Sequence, residues 1–174
     1  MVNDVYDIAE QGMWKVQGFR TKLTEMQQFV RAGELIVARL PQQAVSCPNT
    51  KSSGTIIGCV RVRKLSNDNS ACRGGSLGML VVDPAHRGQG IGRKLVQAAE
   101  QWAIDQGMSY MQLELLKPRT WIHPTKAFNQ AWYTRLGYMY QSTQESFAED
   151  FPALQALLAT ECDYTIWKKE FGHT

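Results

Sequence analysis

The chain lacks most of the features that mark specialised classes of protein. Its 174 residues include four cysteines, and none of these forms a C-x-x-C pair or a metal-like cluster with the three histidines. No apolar run approaches the roughly 20 residues that a membrane-spanning helix needs. The N-terminus, MVNDVYDIAE, has neither the basic nor the apolar region of a signal peptide. We therefore expect a cytoplasmic protein with reduced, structural thiols, no metal and no membrane association.

Charge of either sign is also modest. Charged residues make up 20% of the chain and the net charge is +3, well below the basic density of a dedicated nucleic-acid-binding protein. We expect no nucleic-acid partner. The apolar fraction of 44% and the length suit one globular domain with its own core. We predict a single domain over residues 1–174, and a homodimer is compatible with this sequence.

Helical and strand patterns alternate along the chain. Residues 4–32 have helical spacing interrupted by Gly12 and Gly18, which predicts one or two helices. Short β-rich runs predict strands over 34–40, 55–65, 77–82, 110–116, 138–147 and 163–171. A short helix is predicted over 151–159. These elements indicate one domain that combines helices with six or seven strands.

Two further helices have an apolar stripe that should be buried. In the first, which follows a glycine-rich loop and ends at Gly107, the stripe consists of Ile91, Leu95, Ala98 and Trp102. The second begins near Pro124 and ends at Gly137, and its stripe consists of Phe128, Trp132 and Leu136.

Residues 77–107, LGMLVVDPAHRGQGIGRKLVQAAEQWAIDQG, are the most informative stretch. An apolar strand stops at Asp83-Pro84, and a loop containing Gly88, Gly90 and Gly92 leads directly into a helix. Glycines let a backbone approach a ligand closely, and the free N–H groups at a helix start attract anions. The stretch therefore predicts a ligand that carries phosphates. The glycine spacing does not match a dinucleotide fingerprint, and no Gly-Lys-Ser/Thr of a P-loop follows.

Two motifs in this order resemble a known family. The pattern V-x-P-x-x-R-G-x-G-x-G, read from Val82 to Gly92, resembles the acetyl-CoA signature of the GNAT superfamily of N-acetyltransferases. The segment YTRLGY, from Tyr133 to Tyr138, is similar to that family's helix-end pattern Y-x-x-x-G-F/Y. The resemblance is clear over residues 77–138. It implies an α+β fold of three layers, in which helices cover both faces of a mixed, mainly antiparallel sheet.

The resemblance also implies a site for acetyl-CoA as cosubstrate. The pyrophosphate would contact the N–H groups of residues 87–92, and the pantetheine arm would pair with the central strand where it splays from its neighbour. Arg87 and Arg93 could add charge-assisted bonds to phosphate. The expected cofactor-binding residues are Leu80, Val81, Val82, Arg87, Gly88, Gln89, Gly90, Ile91, Gly92 and Arg93.

Acetyl transfer to an amine needs a base more than an acid. An alkylammonium has a pKa near 10, whereas a thiol, with a pKa near 8.5, already gives a tolerable leaving group. By resemblance, Tyr133 is the acid that protonates the departing sulfur, and Glu114 is the base, acting through water. The alternatives are a Tyr133 that only packs its helix and a Glu114 that only orients substrate. His123, His86 or a water molecule would then be the base.

One residue departs from the family pattern. Relatives often have asparagine seven residues before the tyrosine, where its side chain meets the pantetheine, and this chain has Lys126. The contact is either lost or replaced by attraction to a phosphate or to a substrate carboxylate.

The predicted function is transfer of the acetyl group of acetyl-CoA to a primary amine, by direct attack in a ternary complex. A small amine, which could also bear a carboxylate, is favoured over a protein tail, with Trp14, Trp121, Tyr140 and Trp167 as candidate walls of the pocket. No acidic patch of the kind expected for polyamine or aminoglycoside substrates is visible. The alternatives are an acetyltransferase for protein N-termini or lysines, and a non-catalytic acyl-CoA-binding module, against which Tyr133 and the nearby glutamate argue.

Overall fold

The computed structural model describes residues 1–41, 54–65, 73–144 and 152–172. In these segments the helices are α1 (Val2–Ala9), α2 (Leu23–Arg31), α3 (Ile91–Asp105), α4 (Pro124–Arg135) and the short α5 (Pro152–Gln155). The strands are β1 (Leu35–Arg39), β2 (Ile56–Lys64), β3 (Gly74–Val82), β4 (Tyr110–Pro118), β5 (Met139–Gln144) and β6 (Cys162–Glu170). Residues 145–147 of the predicted fifth strand, and Cys47 and Cys72, lie outside the described residues.

The six strands form one mixed sheet in the order β1-β2-β3-β4-β6-β5. Only β3 and β4 pair in parallel, and the other four neighbouring pairs are antiparallel. A parallel pair needs a crossover, which α3 supplies between β3 and β4. The predicted sheet, mixed and mainly antiparallel, is confirmed.

The parallel pair separates soon after it begins. Its register runs only from Gly74 opposite Tyr110 to Ser76 opposite Gln112. Beyond these residues β3 stays paired with β2, and β4 stays paired with β6 up to Pro118. A wedge-shaped gap therefore opens between the C-terminal halves of β3 and β4, and we call this gap the splay.

Helices cover both faces of the sheet, as the three-layer prediction requires. On one face, which we call the α1 face, Val2 and Val5 pack with Cys59 and Val81, and Met26 of α2 joins this cluster. On the other face, α3 and α4 contribute to the main core, whose buried members include Val60, Val62, Leu77, Leu95, Val96, Ala99, Ala103, Met111, Leu113, Tyr133 and Tyr138. The splay is the place where groups from the two faces can meet.

The buried stripe of α3 agrees with the prediction at Ile91, Leu95 and Trp102, which pack into the main core, and differs at one position. Ala98 is exposed, and Val96, Ala99 and Ala103 are buried together with Leu95. Two small residues, Ala99 and Ala103, thus face the sheet. Ala103 comes so close that a Cβ on Gly75 would lie 3.3 Å from its methyl group. Close approach of helix and sheet selects alanine here over larger apolar side chains.

The stripe predicted for α4 is wrong at Phe128, whereas its other two members, Trp132 and Leu136, are partly buried against the main core. Phe128 is 61% exposed, and Lys126 and Tyr133 are the buried residues of this helix. Lys126, Gln130 and Tyr133 follow each other at i, i+4 and i+7, which places them on one face of the helix. This face lies against the sheet, and Trp132 and Leu136 pack beside it against the same core.

The two described cysteines, Cys59 and Cys162, are free thiols. Burial raises the pKa of each to about 11, so both remain protonated at neutral pH, as expected for structural thiols. Within the described segments, no helix is long and apolar enough to cross a membrane, and no group of acidic, cysteine or histidine side chains could hold a metal ion.

Candidate active site

The loop after β3 adopts a conformation that requires glycine. Asp83 accepts a hydrogen bond from the Ala85 N–H at 2.9 Å and so starts a short 3₁₀ turn. Gly88 and Gly90 have φ values of 77° and 75°, in the left-handed region that other residues rarely enter. Open space surrounds both positions, so it is the backbone conformation that selects glycine.

The loop ends in a helix start with free donors. Gly90 is the N-cap of α3, and the first hydrogen bond of the helix runs from the Lys94 N–H to the Gly90 carbonyl oxygen at 3.1 Å. The N–H groups of Ile91, Gly92 and Arg93 precede this bond and have no partner within the helix. Together with the helix dipole they form a site suited to an anion. Arg87 and Arg93 are exposed beside it.

The C-terminal half of β3 borders the splay. Leu80, Val81 and Val82 all lie beyond Ser76, the last residue that pairs with β4. A bulge against β2 interrupts the strand just before them, and Met79 has a φ of 50° there. A methionine in the left-handed region costs of order 1–3 kcal/mol, and such conformations concentrate at functional sites. The edge of β3 that faces β4 is thus open to an extended ligand.

Tyr133 is buried, with 6% of its surface exposed. Its ring packs edge-on against Trp132 and Tyr138, with centroids 4.9 and 5.7 Å away. Burial raises the pKa of its hydroxyl, and the neighbouring hydroxyl of Tyr6 raises it further. Tyr6 belongs to α1 and packs on the opposite face of the sheet from Tyr133.

Glu114 lies on the splayed part of β4, two residues after Gln112. It is half-buried, and one of its carboxylate oxygens accepts a hydrogen bond from the Gln112 Nε2 at 2.8 Å. Because side chains alternate along a strand, Glu114 shares a face with Leu116, which packs against Met13 on the α1 face. The two predicted catalytic residues therefore approach the splay from opposite faces of the sheet.

A buried ionic cluster at the splay was not predicted from the sequence. Glu10, which is 5% exposed, pairs with Lys126 of α4 and accepts a hydrogen bond from the Trp14 indole N–H at 2.6 Å. Arg20 lies 4.0 Å from the same carboxylate, and its guanidinium stands 4.4 Å above the Tyr6 ring. Burial alone would raise the pKa of Glu10, but Lys126 and Arg20 oppose it, and the pKa is lowered.

Besides its ion pair with Glu10, Lys126 lines a pocket. The pocket has a volume of about 260 Å³ and lies between α4 and the sheet. Its walls are formed by Leu115, Lys117, Lys126, Gln130, Tyr140, Thr143, Asp163, Thr165 and Trp167. Of the four aromatic side chains expected to line an acceptor pocket, Tyr140 and Trp167 are found here, whereas Trp14 belongs to the ionic cluster.

The remaining candidates occupy less central positions. His123 is the N-cap residue of α4, where its Nε2 lies 3.2 Å from the Gln11 carbonyl oxygen and its ring packs at a tilt against Trp121. In the described segments its buried Nδ1 has no hydrogen-bond partner. His86 lies in the loop before α3 and is half-buried. Neither histidine is on a strand that borders the splay.

The model of the acetyltransferase (GNAT) family matches residues 11–138, which span the splay, the glycine loop and Tyr133. This chain belongs to the GNAT family of acetyltransferases. No curated protein sequence matches it significantly.

Solved structures share the GNAT fold at low sequence identity. The NatC complex bound to Gag peptide and CoA is 17% identical with a TM-score of 0.61, over 98% of this chain and 89% of that one. Rv2747 from Mycobacterium tuberculosis, in complex with CoA and NLQ, is 16% identical with a TM-score of 0.57, over 98% and 92%. An acetyltransferase from Bacillus anthracis in complex with acetyl coenzyme A is 18% identical with a TM-score of 0.51, over 68% of this chain and only 58% of that one.

Proposed function

We propose that this GNAT protein transfers the acetyl group of acetyl-CoA to the primary amine of a small molecule. The observation that carries the proposal is the splay between β3 and β4. It lies between the N-terminus of α3, whose free N–H groups suit an anion, and the buried Tyr133. Structures of relatives that hold CoA or acetyl-CoA support the choice of cosubstrate.

The proposed donor site combines the glycine loop with the open edge of β3. The N–H groups of residues 88–93, with Arg87 and Arg93, would bind the pyrophosphate. The backbone of Leu80, Val81 and Val82 would hydrogen-bond the amides of the pantetheine arm, as an added strand does at a sheet edge. This pairing would bring the thioester into the splay.

The proposed reaction needs groups on both sides of the thioester. Glu114, through water, takes a proton from the ammonium of the acceptor, and the neutral nitrogen forms a bond to the thioester carbon. The carbon–sulfur bond breaks, and the sulfur receives a hydrogen bond and finally a proton from the Tyr133 hydroxyl. The nitrogen loses its second proton to water, which returns a proton to the Tyr133 oxygen, and Glu114 releases its proton to solvent. The products are the acetylated amine and free CoA. Because Glu114 and Tyr133 approach the splay from opposite faces, the amine would enter from the α1 face and the thiol would leave toward α4.

Access from the α1 face favours a small acceptor over a protein tail. The Lys15 N–H donates to the Leu157 carbonyl oxygen, and the Ala159 N–H donates to the Met13 carbonyl oxygen, both at 2.9 Å. These bonds and the bridge between Trp14 and Leu158 tie the segment after α1 to the segment before β6. Met13 in this connection packs beside Leu116 on the α1 face, so the connection would hinder a peptide chain that enters from this face more than a small amine.

A screen of acceptors tests the proposal. The protein would be incubated with acetyl-CoA and a panel of small amines and short peptides, and CoA release would be followed by a thiol reagent. We expect release with small amines and a mass increase of one acetyl group in the acceptor. Release with peptides alone would contradict the small-molecule assignment. Binding of acetyl-CoA in calorimetry without release on any acceptor would favour a non-catalytic acyl-CoA-binding module.

A further inference from the structure

Arg20 is the member of the ionic cluster with Glu10 and Lys126 that is charged and also reaches solvent. Lys126 and Glu10 are buried and pair with each other, with side chains 9% and 4% exposed. The side chain of Arg20 is 30% exposed, and its contact with the Glu10 carboxylate, at 4.0 Å, is at the outer limit of an ion pair. The cluster therefore holds two cations around one carboxylate, and the second cation has hydrogen-bond donors to spare.

The fold holds Arg20 in place. The neighbouring Thr21 is fixed to α1 by two hydrogen bonds with the Asn3 side chain, one through its N–H at 3.0 Å and one through its carbonyl oxygen at 3.1 Å. The Gly18 N–H donates to both carboxylate oxygens of Asp7 on the same helix, at 2.9 and 3.0 Å. The stacking of the Arg20 guanidinium on the Tyr6 ring adds a further restraint on the Arg20 side chain. A binding group held in this way loses little entropy when a ligand arrives.

Arg20 is placed to contact the acceptor amine substrate rather than acetyl-CoA. Tyr6, below the guanidinium, packs with Val81 of β3 on the α1 face. Glu114 extends from β4 toward the same face, on the other side of the splay. The expected pyrophosphate site lies in the loop that begins only after β3 has ended. An acceptor between Glu114 and Tyr133 would thus have the guanidinium on its α1 side.

We infer that Arg20 binds a carboxylate of the acceptor, so that the preferred substrates are small α-amino acids or closely related amino carboxylates. This inference rests on the proposed acetyltransferase function. A guanidinium matches a carboxylate with two parallel N–H···O bonds, which an ammonium or an amide cannot reproduce. The cluster has two cations, Lys126 and Arg20, and one anion, Glu10. The carboxylate of the acceptor would supply the second anion.

Matched pairs of acceptors test the inference. Initial rates would be measured for small α-amino acids and for the corresponding α-amino acid amides, which keep the amine and lose the carboxylate charge. We expect a lower KM for the acids, and we expect Arg20→Gln to raise that KM by about ten- to a hundredfold with little change in kcat or in the KM for acetyl-CoA. The KM for the amides should stay the same. Arg39→Gln is the matched control, because Arg39 is exposed on β1 and donates to the Gly54 carbonyl oxygen.

Several results would overturn the inference and leave the proposed function intact. Equal KM values for acids and amides in the unmodified protein would do so, as would a preference that Arg20→Gln leaves unchanged. An equal loss for acids and amides would show that Arg20 acts only by supporting Tyr6 and Glu10. If Arg20→Gln does not fold, Arg20→Lys keeps the charge without the bidentate geometry, and an undiminished preference in that variant would contradict the inference. Absence of turnover with every amine contradicts the proposed function itself, and the inference with it.

Discussion

Replacing Tyr133 by phenylalanine removes one oxygen atom from the centre of the proposed site. The packing of the ring against Trp132 and Tyr138 does not involve that oxygen, so the free energy of unfolding should change by no more than about 1 kcal/mol. The substitution therefore isolates the chemistry of the hydroxyl from the structural role of the ring.

The expected loss of rate follows from the acidity of the buried hydroxyl. A tyrosine has an ordinary pKa near 10 and a thiol one near 8.5, so complete transfer of the proton to a thiolate costs at least about 2 kcal/mol. Burial raises the pKa of Tyr133 and makes the transfer still less favourable. The main contribution should thus be a hydrogen bond to the departing sulfur as its charge develops. Bonds of this type to charged groups contribute about 1.5–3 kcal/mol, which corresponds to a loss in kcat of about ten- to 150-fold.

The assay is CoA release at saturating acetyl-CoA and amine, with KM measured for both substrates. Tyr133→Phe should lower kcat within this range and leave the KM for acetyl-CoA within about twofold. Tyr138→Phe is the control, because it removes a buried tyrosine hydroxyl from the adjacent ring, and it should retain the unmodified rate. Because the raised pKa keeps Tyr133 protonated well above pH 9, its ionisation should not limit the rate at alkaline pH. Unmodified turnover in Tyr133→Phe would refute the acid role.

Three further predictions concern the rest of the site. Glu114→Gln should abolish the acidic limb of kcat/KM, and an unchanged limb in the pH–rate profile would exclude Glu114 as the base. Gly90→Val should weaken acetyl-CoA binding at least tenfold in calorimetry, because its φ of 75° strains any side chain, whereas unchanged affinity would place the pyrophosphate elsewhere. Lys126→Met should lower the free energy of unfolding by about 3 kcal/mol, because it leaves the buried Glu10 carboxylate with only the Trp14 indole and the more distant Arg20 as partners, and chemical denaturation should show most of this recovered in the double variant with Glu10→Gln. In the unmodified protein the pKa of Glu10 is lowered, so the ionised carboxylate stabilises the folded state. This stabilisation is fully present above the ordinary carboxyl pKa near 4.3 and is lost as the pH falls through the lower pKa of the folded state.

Local features of the site could be predicted from the sequence. The glycine loop depends on residues adjacent in the chain, and the left-handed conformations of Gly88 and Gly90 agree with that expectation. The positions of β3, α3 and β4 follow from periodicity and from the turn residues between them. The predicted boundaries of these elements differ from the observed ones by only a few residues.

Features that join distant parts of the chain could not be predicted in the same way. Lys126 is a charged residue in an amphipathic helix, and hydropathy places it on the exposed side. It is buried because Glu10, far away in the sequence, meets it at the splay. Phe128, which local hydropathy predicts to be buried on the same helix, is exposed instead. The departure from the family asparagine is thus explained by an ion pair between α1 and α4 that no local pattern encodes.

The structure of the complex with acetyl-CoA tests the central claim most directly. Our account predicts that the pyrophosphate contacts the N–H groups between Gly88 and Arg93, and that the pantetheine arm lies along Leu80 to Val82. The thioester sulfur should then lie within about 3.5 Å of the Tyr133 hydroxyl oxygen. Acetyl-CoA bound outside the splay, or with its sulfur beyond the reach of Tyr133, would contradict the account.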